Sequence, residues 1–229
     1  MKTLAFLIVY GLVLIFHLYA LVVDDSLLAM ISKPALLGLL ILFFTLSIRK
    51  RESNRFGWLM LGGLVLSLMG DVFLMFDADD NPYFIYGLGS FLLAHIFYAI
   101  AFTRTYLSHH TIPLLKRHGW VMIGIVAYGL YFFSLIKNYL GDMLGPVLIY
   151  TLVITVMLLM AFNRYEKVST RSFWSIAAGA VLFAASDSLL AWNKFVEPLE
   201  FGDLAVMGTY GLAQLGIALG AVFQMKEMN

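Results

Sequence analysis

Two aspartates stand inside stretches of sequence that offer them almost no water. Asp71 lies about fifteen residues into one apolar run and Asp187 about sixteen residues into another. Their surroundings repeat: Arg55, Trp58, Gly63, Asp71 and Leu74 recur as Arg171, Trp174, Gly179, Asp187 and Leu190, each displaced by 116 positions. Placing a carboxylate near hydrocarbon costs about 2.5–3.5 kcal/mol on insertion scales, so an intramembrane aspartate is a functional-site hypothesis by default. The chemistry that suits two desolvated carboxylates is acid and base catalysis, because burial and mutual repulsion separate their proton affinities. Glycoside hydrolysis shows the logic: one carboxyl group protonates, an oxocarbenium-like centre develops, and the second stabilises it or activates water.

Other polar residues gather at the same depth. His17, Tyr150 and Tyr210 each fall about six or seven residues from the outer end of an apolar span, and Lys33, followed by Pro34, opens another span on that side. At 1.5 Å per residue the two aspartates lie roughly 7–8 Å below the outer boundary. Deeper, His95, Tyr98 and Gln214 are placed to form the floor of one cavity. Taken singly these have plain structural explanations. Tyrosines anchor at membrane interfaces, buried histidines find hydrogen bonds, and a lysine near a helix end snorkels to the headgroups. The aspartates carry the inference. Asp71 and Asp187 are therefore the candidate catalytic residues, with Lys33, His95, Tyr98, His17, Tyr150 and Tyr210 as candidate substrate contacts. No H-E-x-x-H or comparable cluster offers a metal site, no G-x-S-x-G elbow offers a serine nucleophile, and no G-x-G-x-x-G loop offers a dinucleotide site. Neither a metal nor an organic cofactor is expected.

The elements that must position these groups follow from composition. Of 229 residues, 62% are hydrophobic and only 13% charged, and the mean hydropathy is +0.89. Those values describe an all-α integral membrane protein, read as a single polytopic domain over residues 1–229. A net charge of +1 without a basic face excludes an electrostatic nucleic-acid footprint, and the absence of cysteine excludes thiol chemistry and disulfides. At roughly 20 apolar residues per crossing, eight spans are predicted near residues 3–23, 29–48, 57–76, 83–103, 119–137, 144–163, 172–192 and 203–224. The first run lacks a small-x-small cleavage site before Asp24 and reads as a retained helix rather than a signal peptide.

Orientation follows from the basic residues. With both termini cytoplasmic, the inner segments hold Lys2, Arg49, Lys50, Arg51, Arg55, Arg104, Lys116, Arg117, Arg164, Lys167, Arg171 and Lys226, leaving only Lys33, Lys137 and Lys194 outside. The expected location is the cell (inner) membrane. The displacement of 116 maps span three onto span seven in the same direction, as a parallel repeat of four plus four helices requires. On span three, Gly63, Ser67 and Asp71 share one face, so small residues lie below the carboxylate and a neighbouring helix can approach closely.

Lys33-Pro34, LSLMGDVFLMF around Asp71, GSFLLAHIFYAIAF around His95 and AGAVLFAASDSLLAWNKF around Asp187 resemble the YhhN-type lysoplasmalogenase family. The resemblance runs from about Lys33 to Gly220. It implies an eight-helix enzyme that hydrolyses the vinyl ether bond of lysoplasmalogens to a fatty aldehyde and glycerophosphoethanolamine or glycerophosphocholine. It further implies one aspartate as general acid and the other as stabiliser or base, Lys33 as a phosphate contact, and His95 and Tyr98 as orienting groups. The partners would be a lysophospholipid substrate and the surrounding membrane lipid, with no nucleic acid. A proton-coupled carrier, or a lipid-binding protein without catalysis, are the rival classes. Carriers usually break their helices near the midplane, whereas spans three and seven contain no proline.

Overall fold

An apolar run immersed in lipid has one way to satisfy every backbone N–H without leaving the segment, and that is the α-helix. The computed structural model describes residues 3–48, 55–76, 82–107 and 114–227, and among these the regular structure is helical throughout. The helices are α1 (Thr3–Val22), α2 (Ser26–Ile48), α3 (Arg55–Met75), α4 (Tyr83–Leu107), α5 (Leu114–Arg117), α6 (Gly119–Ile136), α7 (Leu144–Phe162), α8 (Thr170–Phe195) and α9 (Gly202–Glu227). Two short 3₁₀ turns, Lys137–Tyr139 and Gly141–Met143, join α6 to α7. Among the described residues eight helices are long and apolar enough to cross a bilayer, and the protein is a multi-pass membrane protein of all-α class. The four-residue α5 occupies a stretch read from the sequence as loop. Lys2, Arg49, Lys50 and Arg51, on which the orientation partly rests, lie outside the described residues.

One boundary differs in a way that matters. The Asp25 carboxylate accepts the Leu28 N–H at 3.0 Å and starts α2 at Ser26, three residues before the predicted span. Lys33 and Pro34 therefore do not open the helix but lie about two turns inside it. Pro34 lacks the N–H that would bond the preceding turn, and the helix continues past it. The helices that carry the aspartates, α3 and α8, run unbroken through Asp71 and Asp187.

Lipid tails are as apolar as leucine, so close packing and hydrogen bonds rather than hydrophobic burial hold such helices together. The two glycines related by 116 positions do this work at two seams. A Cβ on Gly63 would run into the Tyr98 ring of α4, and one on Gly179 would sit 2.7 Å from the Ala213 carbonyl oxygen and 2.8 Å from the Ile217 nitrogen of α9. The α8–α9 seam is thus backbone against backbone. A core of Phe6, Tyr10, Leu40, Met60, Phe102 and Ile217 fills the space between α1, α2, α3, α4 and α9. Trp58, Trp120 and Trp174 stay exposed near the starts of α3, α6 and α8, as an interfacial aromatic belt requires.

Arg164, in the turn between α7 and α8, is fully buried. Its Nη2 donates to Ser172 Oγ and Gln224 Oε1, each at 2.8 Å, and the guanidinium lies 5.3 Å from the centre of the Phe102 ring. Ser172 in turn donates to the Gly220 carbonyl at 2.8 Å. Burial pulls this guanidinium down to about 9, against the opposing field of Glu227. One cation thereby ties the α7–α8 turn to α4, α8 and α9.

Candidate active site

Asp187 projects from α8 toward α4 and α7. Tyr150 of α7 donates to Asp187 Oδ2 at 2.7 Å, and His95 of α4 places Nε2 3.1 Å from the same oxygen and 2.9 Å from the tyrosine oxygen. Tyr150 has one proton and gives it to the carboxylate, so its oxygen accepts from His95, which therefore carries its proton on Nε2. The other ring nitrogen, Nδ1, is buried without a hydrogen-bond partner. Both bonds to Asp187 fall on Oδ2. That leaves Oδ1 for a reacting group.

Asp71 belongs to a second relay. Tyr98 of α4 donates to Gln214 Oε1 at 3.0 Å, Gln214 Nε2 donates to the Tyr210 oxygen at 3.3 Å, and Tyr210 donates to Asp71 Oδ2 at 2.8 Å. The three donors point one way along the chain and end on the carboxylate, an arrangement in which each bond polarises the next. Lys33 of α2 acts electrostatically on Asp71 and on His17.

The sequence placed six polar groups in a single layer, whereas the structure sorts four of them, Asp71 with Tyr210 and Asp187 with Tyr150, into two relays flanking an aromatic pair. Phe183 stacks edge-on against His95 at 4.6 Å and against Tyr210 at 5.4 Å, and Phe91 meets Tyr210 at 5.9 Å. Tyr98, grouped in the sequence reading with His95, joins Asp71 instead. His17 reaches neither aspartate and bonds Ser32 of α2, with Nδ1 2.7 Å from the hydroxyl oxygen.

Two pockets open onto this assembly. An apolar cleft of about 70 Å³ between α4, α6, α7 and α8 is walled by Tyr150 and Asp187 among aliphatic and aromatic side chains. A polar pocket of about 400 Å³ is lined by His17, Lys33, Asn193, Lys194 and Asp203. Leu74, Phe84 and Leu190 line both, so the pockets adjoin. The side chain of Asp187 is 15% exposed, while Asp71 is 2% exposed and lines neither pocket. The aspartates are alike in sequence and unlike in access. Sequence reasoning missed Phe91 and Phe183, which look like any core phenylalanine, and Ser32, which carries no periodic signal. Asn193 and Lys194 lie beyond the predicted end of span seven, and the extra turn of α8 brings them to the pocket.

The fold and site are those of a polytopic helical membrane protein, with carboxylate relays beside an apolar cleft and a pocket that holds Lys33 and Lys194. The chain belongs to the YhhN family, which matches residues 28–221. Similar proteins include the lysoplasmalogenase TMEM86A of Bos taurus, 34% identical over 163 residues covering 70% of this chain and 63% of that protein. The lysoplasmalogenase TMEM86B of Mus musculus is 35% identical over 165 residues, 72% of this chain and 64% of its own length. A lysoplasmalogenase of Mycobacterium tuberculosis is 29% identical over 169 residues, 72% and 60% respectively. The chain thus spans less than two thirds of the length of these relatives. No solved structure matches it.

Proposed function

We propose that this protein hydrolyses the vinyl ether bond of a lysoplasmalogen, releasing a fatty aldehyde and glycerophosphoethanolamine or glycerophosphocholine. The observation that carries the reading is the adjacency of the two pockets. A lysolipid has one hydrocarbon chain and one phosphate headgroup. The apolar cleft suits the first methylenes of the chain, and Lys33 with Lys194 suits the phosphate. The vinyl ether, which lies between the two, then falls beside Asp187.

The chemistry balances with one water. Asp187 gives a proton from Oδ1 to the β-carbon of the vinyl ether, and the α-carbon with its oxygen becomes an oxocarbenium ion. Water adds to that carbon and returns a proton to the Asp187 carboxylate, and the hemiacetal collapses to aldehyde and glycerol hydroxyl. Tyr150 and His95 hold the carboxyl group through Oδ2 and fix which oxygen faces the substrate. Asp71 contributes as a fixed negative charge that steadies the developing cation. The names of the relatives support the substrate class. Continuous α3 and α8 support a fixed site over a carrier's moving one. The same proposal places both termini in the cytoplasm of a cell whose inner membrane holds the protein, with the polar pocket outward.

A four-plus-four duplication is part of this reading. It is supported by the way the relays cross: Asp71 of α3 bonds α9, and Asp187 of α8 bonds α4. A twofold relation exchanging α3 with α8 and α4 with α9 turns one bond into the other. The test of function is aldehyde release by the purified protein from 1-alkenyl lysophosphoethanolamine in detergent, with the 1-alkyl ether as the uncleavable control. Absence of aldehyde above that control overturns the proposal.

A further inference from the structure

His17 holds an acceptor with nothing to accept. The side chain is 1% exposed, and Nδ1 lies 2.7 Å from Ser32 Oγ. That hydroxyl has one proton, committed to the Leu28 carbonyl at 2.6 Å, so Ser32 accepts from the ring and His17 donates through Nδ1. A neutral imidazole that donates through Nδ1 presents a bare lone pair at Nε2. In the structure Nε2 is buried with no hydrogen-bond partner, while His17 lines the polar pocket together with Lys33. Buried acceptors are nearly always met by a donor, and one left open beside a ligand pocket marks where a donor arrives.

We propose that His17 Nε2 accepts the free 2-hydroxyl of the lysolipid's glycerol, making that hydroxyl a condition of tight binding; this rests on the lysolipid reading above. Phosphate and vinyl ether oxygens can only accept, so on the glycerol itself the 2-hydroxyl is the donor. Its carbon lies between the one that bears the phosphate and the one that bears the vinyl ether. The site keeps the groups in matching company: Lys33 and His17 line one pocket, and Asp187 lines the next, beyond the shared wall of Leu74, Phe84 and Leu190. Ser32 and Lys33 are consecutive on α2, so one short segment both sets the histidine's tautomer and offers the cation. An acyl group at the 2-position removes the donor and turns ester oxygens toward the Nε2 lone pair. Plasmalogens acylated at the 2-position are then rejected by lone-pair repulsion as well as by size.

The test uses the full chain in detergent and three uncleavable ligands: a 1-alkyl lysophosphoethanolamine, its 2-deoxy analogue and its 2-O-methyl ether, each competing with a fluorescent lysolipid. The wild type is expected to bind the hydroxyl compound about ten-fold or more tighter than either analogue, the scale of one buried hydrogen bond. His17→Phe is expected to bind all three within about two-fold of one another, and His17→Gln, which keeps an acceptor, to retain part of the preference. Equal binding of hydroxyl and deoxy ligands by the wild type overturns the contact, whether or not the variants fold. So does a preference that persists in His17→Phe. A hydroxyl preference without aldehyde release from the alkenyl substrate leaves the contact standing and removes the hydrolase; aldehyde release without the preference does the reverse.

Discussion

Asp187→Asn keeps the size and shape of the side chain and an amide oxygen that accepts the Tyr150 hydroxyl, yet it neither delivers nor collects a proton. The amide oxygen keeps the hydrogen bonds that the protonated carboxyl group accepts through Oδ2, so the cost to folding is expected to stay within about 1 kcal/mol. The loss to catalysis is larger: removal of a positioned acid–base group lowers turnover by about 10²–10⁴-fold. Asp71→Asn likewise keeps an acceptor for Tyr210 and removes only the charge, which is expected to lower turnover by about 10²-fold, the scale of one lost electrostatic stabiliser. In the double variant there is no proton transfer left for Asp71 to assist, so its turnover is expected to match Asp187→Asn rather than the product of the two losses. Aldehyde release under saturating lysoplasmalogen gives turnover for the three variants, and melting in the same detergent gives stability. Turnover within about three-fold of wild type in either single variant refutes a shared reaction, and multiplicative losses in the double refute the coupling of the two carboxylates.

Tyr150→Phe removes the hydroxyl that fixes Asp187 Oδ2 at 2.7 Å, and turnover is expected to fall about ten-fold or more with little change in substrate affinity, read from a full saturation curve. Gly179→Ala forces a Cβ to within 2.7 Å of the Ala213 carbonyl, which cannot move without parting α8 from α9, so stability is expected to drop by about 1–3 kcal/mol. Gly11→Ala, where a Cβ meets nothing within 4 Å, is expected to be neutral or slightly stabilising in the same melting assay. For orientation, an impermeant thiol reagent on intact cells is expected to label Glu200→Cys and spare Glu166→Cys in this cysteine-free chain; the opposite pattern inverts the topology.

The helical class and all eight spans were legible because lipid allows an apolar run little choice: hydropathy and length decide it. The ends were less legible. Asp25 begins α2 early by capping it, and α8 runs three residues past the predicted limit, to Phe195. Both differences arise from local hydrogen bonding that a window of hydropathy averages away, and both alter the site. One carries Lys33 into the helix, and the other brings Lys194 to the pocket. Arg164 shows the same limit. As a basic residue between two spans it reads as a solvated loop cation, and only the packing of α4, α8 and α9 around it makes it a fully buried donor to Ser172 and Gln224.

The candidate site was legible as a set of residues and illegible as an arrangement. Depth along each helix follows from counting residues, but rotation about the helix axis depends on which neighbours pack where. Tyr98 and His95 differ by three positions on α4, close enough to share a face of an isolated helix. Yet Tyr98 lies under Gly63 and turns to Gln214 of α9, while His95 turns to Tyr150 of α7. The ring of Phe183 then separates the two relays. The symmetry of the sequence foretold two similar carboxylates, and the packing made them unequal, one on the wall of the cleft and one sealed behind it. That inequality is what permits a division of labour. A proton donor must touch the carbon it protonates, whereas a charge that steadies a cation acts at a distance and gains strength from being dry.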